Sequence, residues 1–286
     1  MTTLLNPKLI GEISPLGIAL LKAANPSDAR AILELAYGTA PYPPGHLFGL
    51  ALSNNTADAV NDIDVSAGAC SDSSGIANIA LASTMTKRFD ANWFAGSGSG
   101  ALDTGALVDG WWHVFAILNP TTHTSDVLAS LSVNAPTLPA GYTMFRRLGS
   151  VLREAGSLVK FRQFGDIFKW DVPRRSFTNT NAVALGPLAL DVPPGVRVSP
   201  ILSSNMFLSA AGNAVQLMGD GEGTTAAMAI CRANIASSNT FTNLSGPGAF
   251  ITNTARQVQF EQLLTSGTFG SSTIDVLGWR DLRDRG

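Results

Sequence analysis

The 286-residue chain carries 19 basic and 21 acidic side chains, a formal net charge of −2, and 45% hydrophobic residues. Near-neutrality excludes a global electrostatic pull toward nucleic acid or anionic lipid. A charged fraction of only 14%, against about a quarter in ordinary domains, speaks for a β-rich surface of turns and hydrogen bonds and against a charge-studded helical enzyme.

The start lacks the cationic, apolar and small-residue succession of a secretory leader, and no apolar stretch approaches the ~18 residues of a membrane helix. A soluble chain made in a cytoplasm is expected, with neither membrane nor nucleic acid as partner. Asn25-Pro26-Ser27-Asp28 supplies a cap, a proline for the first helical position and an acid for the first turn, and predicts a helix over Ala29–Leu35 closed by Gly38. Ile32, Leu33 and Leu35 form its apolar patch, with Leu16, Ile18, Leu20 and Leu21 just upstream. So short a helix is marginal alone. Residues 1–45 therefore read as an arm for anchoring or oligomerisation, with Leu20, Leu21, Ile32 and Leu33 as candidate subunit contacts. Pro41, Pro43, Pro44 and Gly45 then end regular structure.

From residue 46 the pattern becomes short apolar runs separated by turn residues, which predicts strands near His46–Leu52, Asp62–Val65, Ile76–Leu81, Trp111–Leu118, Asp126–Ser132, Met144–Leu152, Leu158–Phe164 and Ile167–Trp170. The Trp111–Leu118 run is apolar on both faces, the mark of a central strand covered from both sides. Gly96-Ser97-Gly98-Ser99-Gly100 reads as a flexible loop, and Asn119-Pro120 and Gly165-Asp166 as hairpin turns. A second break at Pro173–Ser176 precedes expected strands at Val183–Val192, Gly195–Ser203, Ala214–Met218, Thr225–Cys231, Arg256–Leu264 and Thr273–Trp279. The expected fold is all-β: two β-sandwich or jelly-roll-like domains, 46–172 and a smaller 173–286, behind the helical arm. No internal repeat of fixed period supports a solenoid or propeller.

Few residues suggest chemistry. His46, His113 and His123 are scattered, with no nucleophile and acid to complete a triad. The serines of Gly96–Gly100 do not match the nucleophile elbow, and Gly219-Asp220-Gly221-Glu222-Gly223 is not a dinucleotide loop. Cys70 and Cys231 lack zinc or disulfide-framework spacing and are expected as buried thiols. Asp58, Asp62, Asp64 and Asp72 raise a calcium reading, but without a recognised loop pattern. No cofactor, metal or catalytic residue is therefore assigned, and the expected class is non-enzymatic. Trp93, Trp111, Trp112 and Trp170 with Tyr142 are candidates for a sugar platform, against the alternative of core packing. The segment Val60–Leu131 is mostly acidic, whereas Arg146, Arg147, Arg153, Lys160, Arg162, Lys169, Arg174 and Arg175 cluster after it. Arg146 and Arg147 are thus candidate subunit contacts, beside the plainer reading of solvent-facing strand positions.

Several ordered blocks carry a resemblance: Ala67-Gly68-Ala69-Cys70-Ser71-Asp72, Thr86-Lys87-Arg88-Phe89-Asp90-Ala91-Asn92-Trp93, Leu102-Asp103-Thr104-Gly105, Trp112-His113-Val114-Phe115, Asp126-Val127-Leu128, and Pro136-Thr137-Leu138-Pro139-Ala140-Gly141-Tyr142 followed by Phe145-Arg146-Arg147-Leu148-Gly149-Ser150. Together they make Ile63–Trp170 resemble a module of tailed-bacteriophage and prophage tail-fibre and other virion proteins. Leu16–Leu21 followed by Asp28–Leu33 resembles a segment frequent in phage fibre proteins. The resemblance covers about half of the chain. It implies a virion location, partners among other virion proteins, a homotrimeric assembly and attachment to the host; bacterial surface glycan is a further candidate partner through the aromatic residues. It brings no catalytic residues. A capsid decoration, collar or head-fibre protein, a glycan-recognising receptor module and a capsular depolymerase are the competing expectations.

Overall fold

The computed structural model describes residues 15–24, 42–235, 239–245 and 248–283. The helix expected over Ala29–Leu35, with Ile32 and Leu33, lies outside them. The described helix is α1 (Pro15–Leu21), on which Leu20 and Leu21 are exposed.

Everything else regular among the described residues is strand, and the chain is all-β, 58% strand by residue. In chain order the strands are β1 (Leu47–Gly49), β2 (Leu52–Asn54), β3 (Asp62–Val65), β4 (Gly68–Ser71), β5 (Asn78–Leu81), β6 (Met85–Asn92), β7 (Ser99–Leu102), β8 (Gly110–Asn119) and β9 (Thr124–Ser130). There follow β10 (Met144–Glu154), β11 (Ser157–Leu158), β12 (Phe161–Phe164), β13 (Ile167–Asn179), β14 (Val183–Ala189), β15 (Val198–Gly219), β16 (Met228–Ile235), β17 (Asn239–Ser245) and β18 (Gln257–Asp281). They form an eight-stranded sheet ordered β11-β10-β8-β9-β7-β6-β3-β2, a three-stranded sheet β1-β4-β5, and a third sheet β12-β13-β18-β15-β16 with β14 also on β18 and β17 also on β15.

β8 is the central strand that its apolar run predicts: it pairs with β10 and β9, and Trp112 to Leu118 are buried without interruption. Alternation then divides its side chains. Trp112, Val114, Ala116 and Leu118 join the main core, while Phe115 and Ile117 join a smaller cluster with Leu128 and Tyr142. That main core extends from Leu50 to Trp279, so both expected domains contribute to one apolar mass. The break expected at Pro173–Ser176 falls inside β13, which pairs with β18 on either side of it.

The third sheet is a long ribbon folded upon itself. β15 and β18 span 22 and 25 residues and pair antiparallel along nearly their whole length. Residues 204 and 216 of a straight strand would stand about 40 Å apart, yet the Ser204 hydroxyl meets the Gln216 side-chain oxygen. Likewise Ser272 donates to Gln262 of the same strand at 2.5 Å. The two halves of the ribbon therefore face each other, with Met206, Leu208, Ala214, Cys231, Ala233 and Phe269 between them.

The corner lies where register shifts crowd between Phe207 and Ala214. There Gly212 and Gly267 bring two backbones together: a Cβ on Gly212 would stand 2.1 Å from the Ser266 carbonyl oxygen, and Gly267 has a φ of +90°. Only glycine permits both features. Gln216 also donates to Gln262 Oε1 at 3.1 Å and to Ser272 Oγ at 2.6 Å, and Gln262 donates to the Asn181 carbonyl. Buried amides so connected stabilise when every member is satisfied and cost when one is removed. Gln216→Leu is expected to lower the unfolding free energy by about 1–3 kcal/mol, read as a lower urea midpoint with an unchanged slope.

Candidate functional site

Of the five aromatics considered for a sugar platform, Trp112, Trp170 and Tyr142 are buried and Trp93 and Trp111 half-buried. Trp112 is fully buried and meets Phe89 edge to face. Trp111 lies against Trp170 and Trp279, with ring centroids 5.7 and 5.5 Å away, and Phe168 stacks on Trp279. This cluster welds the eight-stranded sheet to the folded ribbon. Trp93 packs edge to face on buried Tyr142 and donates its indole N–H to the Val127 carbonyl. Ring contacts within the chain engage all five.

Arg146 and Arg147 are also interior. Arg147, from β10, forms a bidentate pair with Asp281, from β18, at 2.6 and 3.0 Å, and its side chain is 4% exposed against 0% for the aspartate. The same guanidinium reaches Ser150 Oγ, which meets His113 Nδ1 at 2.9 Å. Asp281 further accepts the Arg283 N–H, and Arg146 donates to the Arg283 carbonyl. Burial alone would raise the Asp281 carboxyl, but the charge and hydrogen bonds of Arg147 hold it below the usual carboxylate range. His113 is pushed down to about 4 by burial, with the Arg147 charge acting in the same direction. These two arginines therefore clamp one sheet to another within a single chain.

A second buried pair controls the glycine loop. Lys87 of β6 and Asp126 of β9 meet at 2.9 Å with side chains 1% and 2% exposed. Lys87 also donates to the carbonyls of Phe94 and Gly96 and lies over the Trp93 ring, while Asp126 accepts the Gly96 N–H. All three donors of the ammonium group are thereby matched. The sequence gives Lys87 no visible reason to be internal, since its partner lies on another strand. Gly96 and Gly98 turn with positive φ, but Ser99 and Gly100 belong to β7, which pairs in parallel with β6.

Three of the four acids considered for calcium are occupied locally. Asp72 accepts the backbone N–H groups of Ser74, Ile76 and Ala77; Asp58 those of Val60 and Asn61; Asp64 the side chains of Asn55 and Thr86. Among the described residues no group of His, Cys, Asp and Glu is arranged to hold a metal. Cys70 and Cys231 are buried, with no disulfide between them, and burial pushes the Cys70 thiol up to about 12. His46 stacks near Tyr42, and His123 occupies the turn after β8, so the histidines do not converge. Among the described residues no helix is long and apolar enough to cross a membrane.

The surface feature that sequence reading missed is a bulge in β13. Lys169 pairs with Gly278 and Arg174 with Val276, so Trp170, Asp171, Val172 and Pro173 stand opposite Leu277 alone. Proline cannot donate to the ladder, which explains why the strand leaves its partner here. Depressions open on either side. One, of about 490 Å³, is lined by Val159, Lys160, Asp171, Pro173, Arg174 and Asp191 among others. The second, of about 390 Å³, is lined by Arg162, Phe164, Lys169, Trp170, Asp171 and Pro173 among others. Arg162 pairs with Asp171, Arg174 with Glu154 and Asp191, and Arg175 with Asp275. Much of the basic run is thus matched by acids distant in sequence.

No family model matches the chain, and no curated protein does. Among solved structures, one of infectious bursal disease virus, Gt strain, aligns with 84% of this chain and 73% of that chain at 13% identity and a TM-score of 0.19. At that TM-score the likeness does not establish a common fold.

Proposed function

We propose that the chain is a structural component of a tailed-phage virion, a tail fibre or appendage that serves attachment or assembly and has no catalytic role of its own. The observation that carries this reading is the placement of the unusual ionisable groups. In enzymes such groups converge on a cleft that substrate can enter. Here Lys87, His113 and Asp281 are all but fully buried, each in a hydrogen-bonded contact within or between sheets. That is the use a load-transmitting scaffold makes of buried charge. The ordered blocks between Ile63 and Trp170 that resemble phage virion modules support the same reading, and the arm with exposed Leu20 and Leu21 supplies an apolar surface for three-fold self-association.

Electron microscopy of purified particles, with antibody raised against the isolated chain, tests the location. Label at the tail tip or along a tail appendage is expected; label over the capsid shell, the collar or no part of the particle overturns the tail assignment. Light scattering of the full chain is expected to give three times the chain mass, and a monomer retains the fold but removes the trimer.

A further inference from the structure

We propose that the β13 bulge and the two depressions beside it form a binding site for an acidic glycan, a sugar chain bearing carboxylate or phosphate groups. The site stands on its own geometry, whatever particle carries the chain.

The shape favours a chain over a single small ligand. The two depressions share Asp171 and Pro173 as a common wall, so they adjoin across the bulge. Each has the volume of a small-ligand pocket, and an extended oligosaccharide can lie across the ridge with successive rings on either side. The ridge itself is apolar where it projects: Val172 is 72% exposed, and Phe164 nearby is 61% exposed. Such groups suit the C–H face of a sugar ring. Below them Trp170 is buried, with the Arg174 guanidinium held over its ring and no acceptor for its indole N–H among the described residues. The bulge is therefore anchored.

The charges favour an acidic sugar. Lys160, Arg162, Lys169, Arg174 and Arg175 line the pair of depressions against two carboxylates, Asp171 and Asp191. The arginines are positioned by ion pairs, whereas exposed Lys160 and Lys169 form no ion pair among the described residues and remain available to an incoming anion. The two aspartates can accept hydrogen bonds from hydroxyl groups, which a sugar supplies and a DNA backbone does not. The net charge of −2 offers no long-range attraction of the kind that drives non-specific nucleic-acid binding.

The test measures binding of the full chain, near physiological salt, to polygalacturonate, polyglycerol phosphate, neutral dextran and an oligothymidylate. Binding is expected to at least one acidic polymer and not to dextran, and which polymer binds distinguishes carboxylate from phosphate recognition. The double substitution Lys160→Glu with Lys169→Glu is expected to weaken that binding at least about ten-fold while leaving the thermal midpoint as in the unaltered chain, since both lysines are exposed. Val172→Asp is expected to weaken it independently. The proposal is overturned if neither acidic polymer binds, if the double variant binds as the unaltered chain does, or if oligothymidylate binds as tightly as the glycans.

Discussion

Asp281→Ala is expected to lower the unfolding free energy by about 3–5 kcal/mol, the largest effect of any single side-chain truncation argued for this chain. The reason is the charge left behind. Arg147 is 4% exposed, and its two parallel bonds to the carboxylate, 2.6 and 3.0 Å long, join β10 to β18. Without the aspartate the guanidinium stays buried and loses its bidentate carboxylate partner. Arg147→Met is expected to be similarly costly, because it strands the fully buried carboxylate. The double variant Arg147→Met with Asp281→Leu removes both charges and is expected to recover most of the loss, since well-packed apolar pairs replace buried ion pairs at little cost. Urea unfolding of the four proteins gives the coupling directly. Independent, additive losses in the two single variants would show that the pair is not coupled.

This clamp also marks the limit of what the sequence discloses. Strand Asp62–Val65 and the central strand over Trp111–Leu118 are legible because local alternation and an uninterrupted apolar run are local signals. The turns at Asn119-Pro120 and Gly165-Asp166 are legible for the same reason: Asn119 ends β8 and Pro120 opens the turn to β9, while Gly165-Asp166 joins β12 to β13. β6 is not: Lys87 occupies a buried position of its alternation, and the lysine looks solvent-facing until Asp126 is placed beside it by a separate strand. Arg147 misleads in the same way, its partner being 134 residues distant.

The folded ribbon shows a subtler case. Each of its two long strands reads as two short ones, because the small and polar residues of Ser209–Asn213 and Thr265–Gly270 interrupt the apolar alternation. The interruption is real but marks a corner, and the chain on either side continues in the same ladder. The aromatics considered for a sugar platform are a different case. Ring-bearing residues announce burial and binding alike, and only the packing of Trp111 on Trp170 and Trp279 separates the two. The bulge at Trp170–Pro173 is visible in outline, since proline forbids a regular central strand, but its depressions depend on the register against Gly278 and Val276.

Acidification from pH 6.5 to 4 is expected to remove about 3 kcal/mol of stability through His113 alone. The imidazole is 2% exposed, its Nδ1 meets Ser150 Oγ, and it shares that hydroxyl with Arg147. Burial first, and then the neighbouring guanidinium, keep it neutral until about pH 4, against 6.5 in the unfolded chain. Between those values the unfolded chain binds the extra proton, so each unit of acidification favours unfolding by about 1.4 kcal/mol. Above pH 6.5 the ring is neutral in both states and contributes no slope. The carboxylate of Asp281 acts in a separate, lower window: its folded pKa lies below the unfolded value, so its stabilisation is complete above the ordinary carboxylate range and is lost as the pH falls through that depressed value. His113→Asn keeps a polar group near Ser150 and cannot titrate. Urea midpoints followed from pH 7 to 4 should therefore fall more steeply in the unaltered chain than in His113→Asn, and parallel profiles would remove His113 as the source of acid sensitivity.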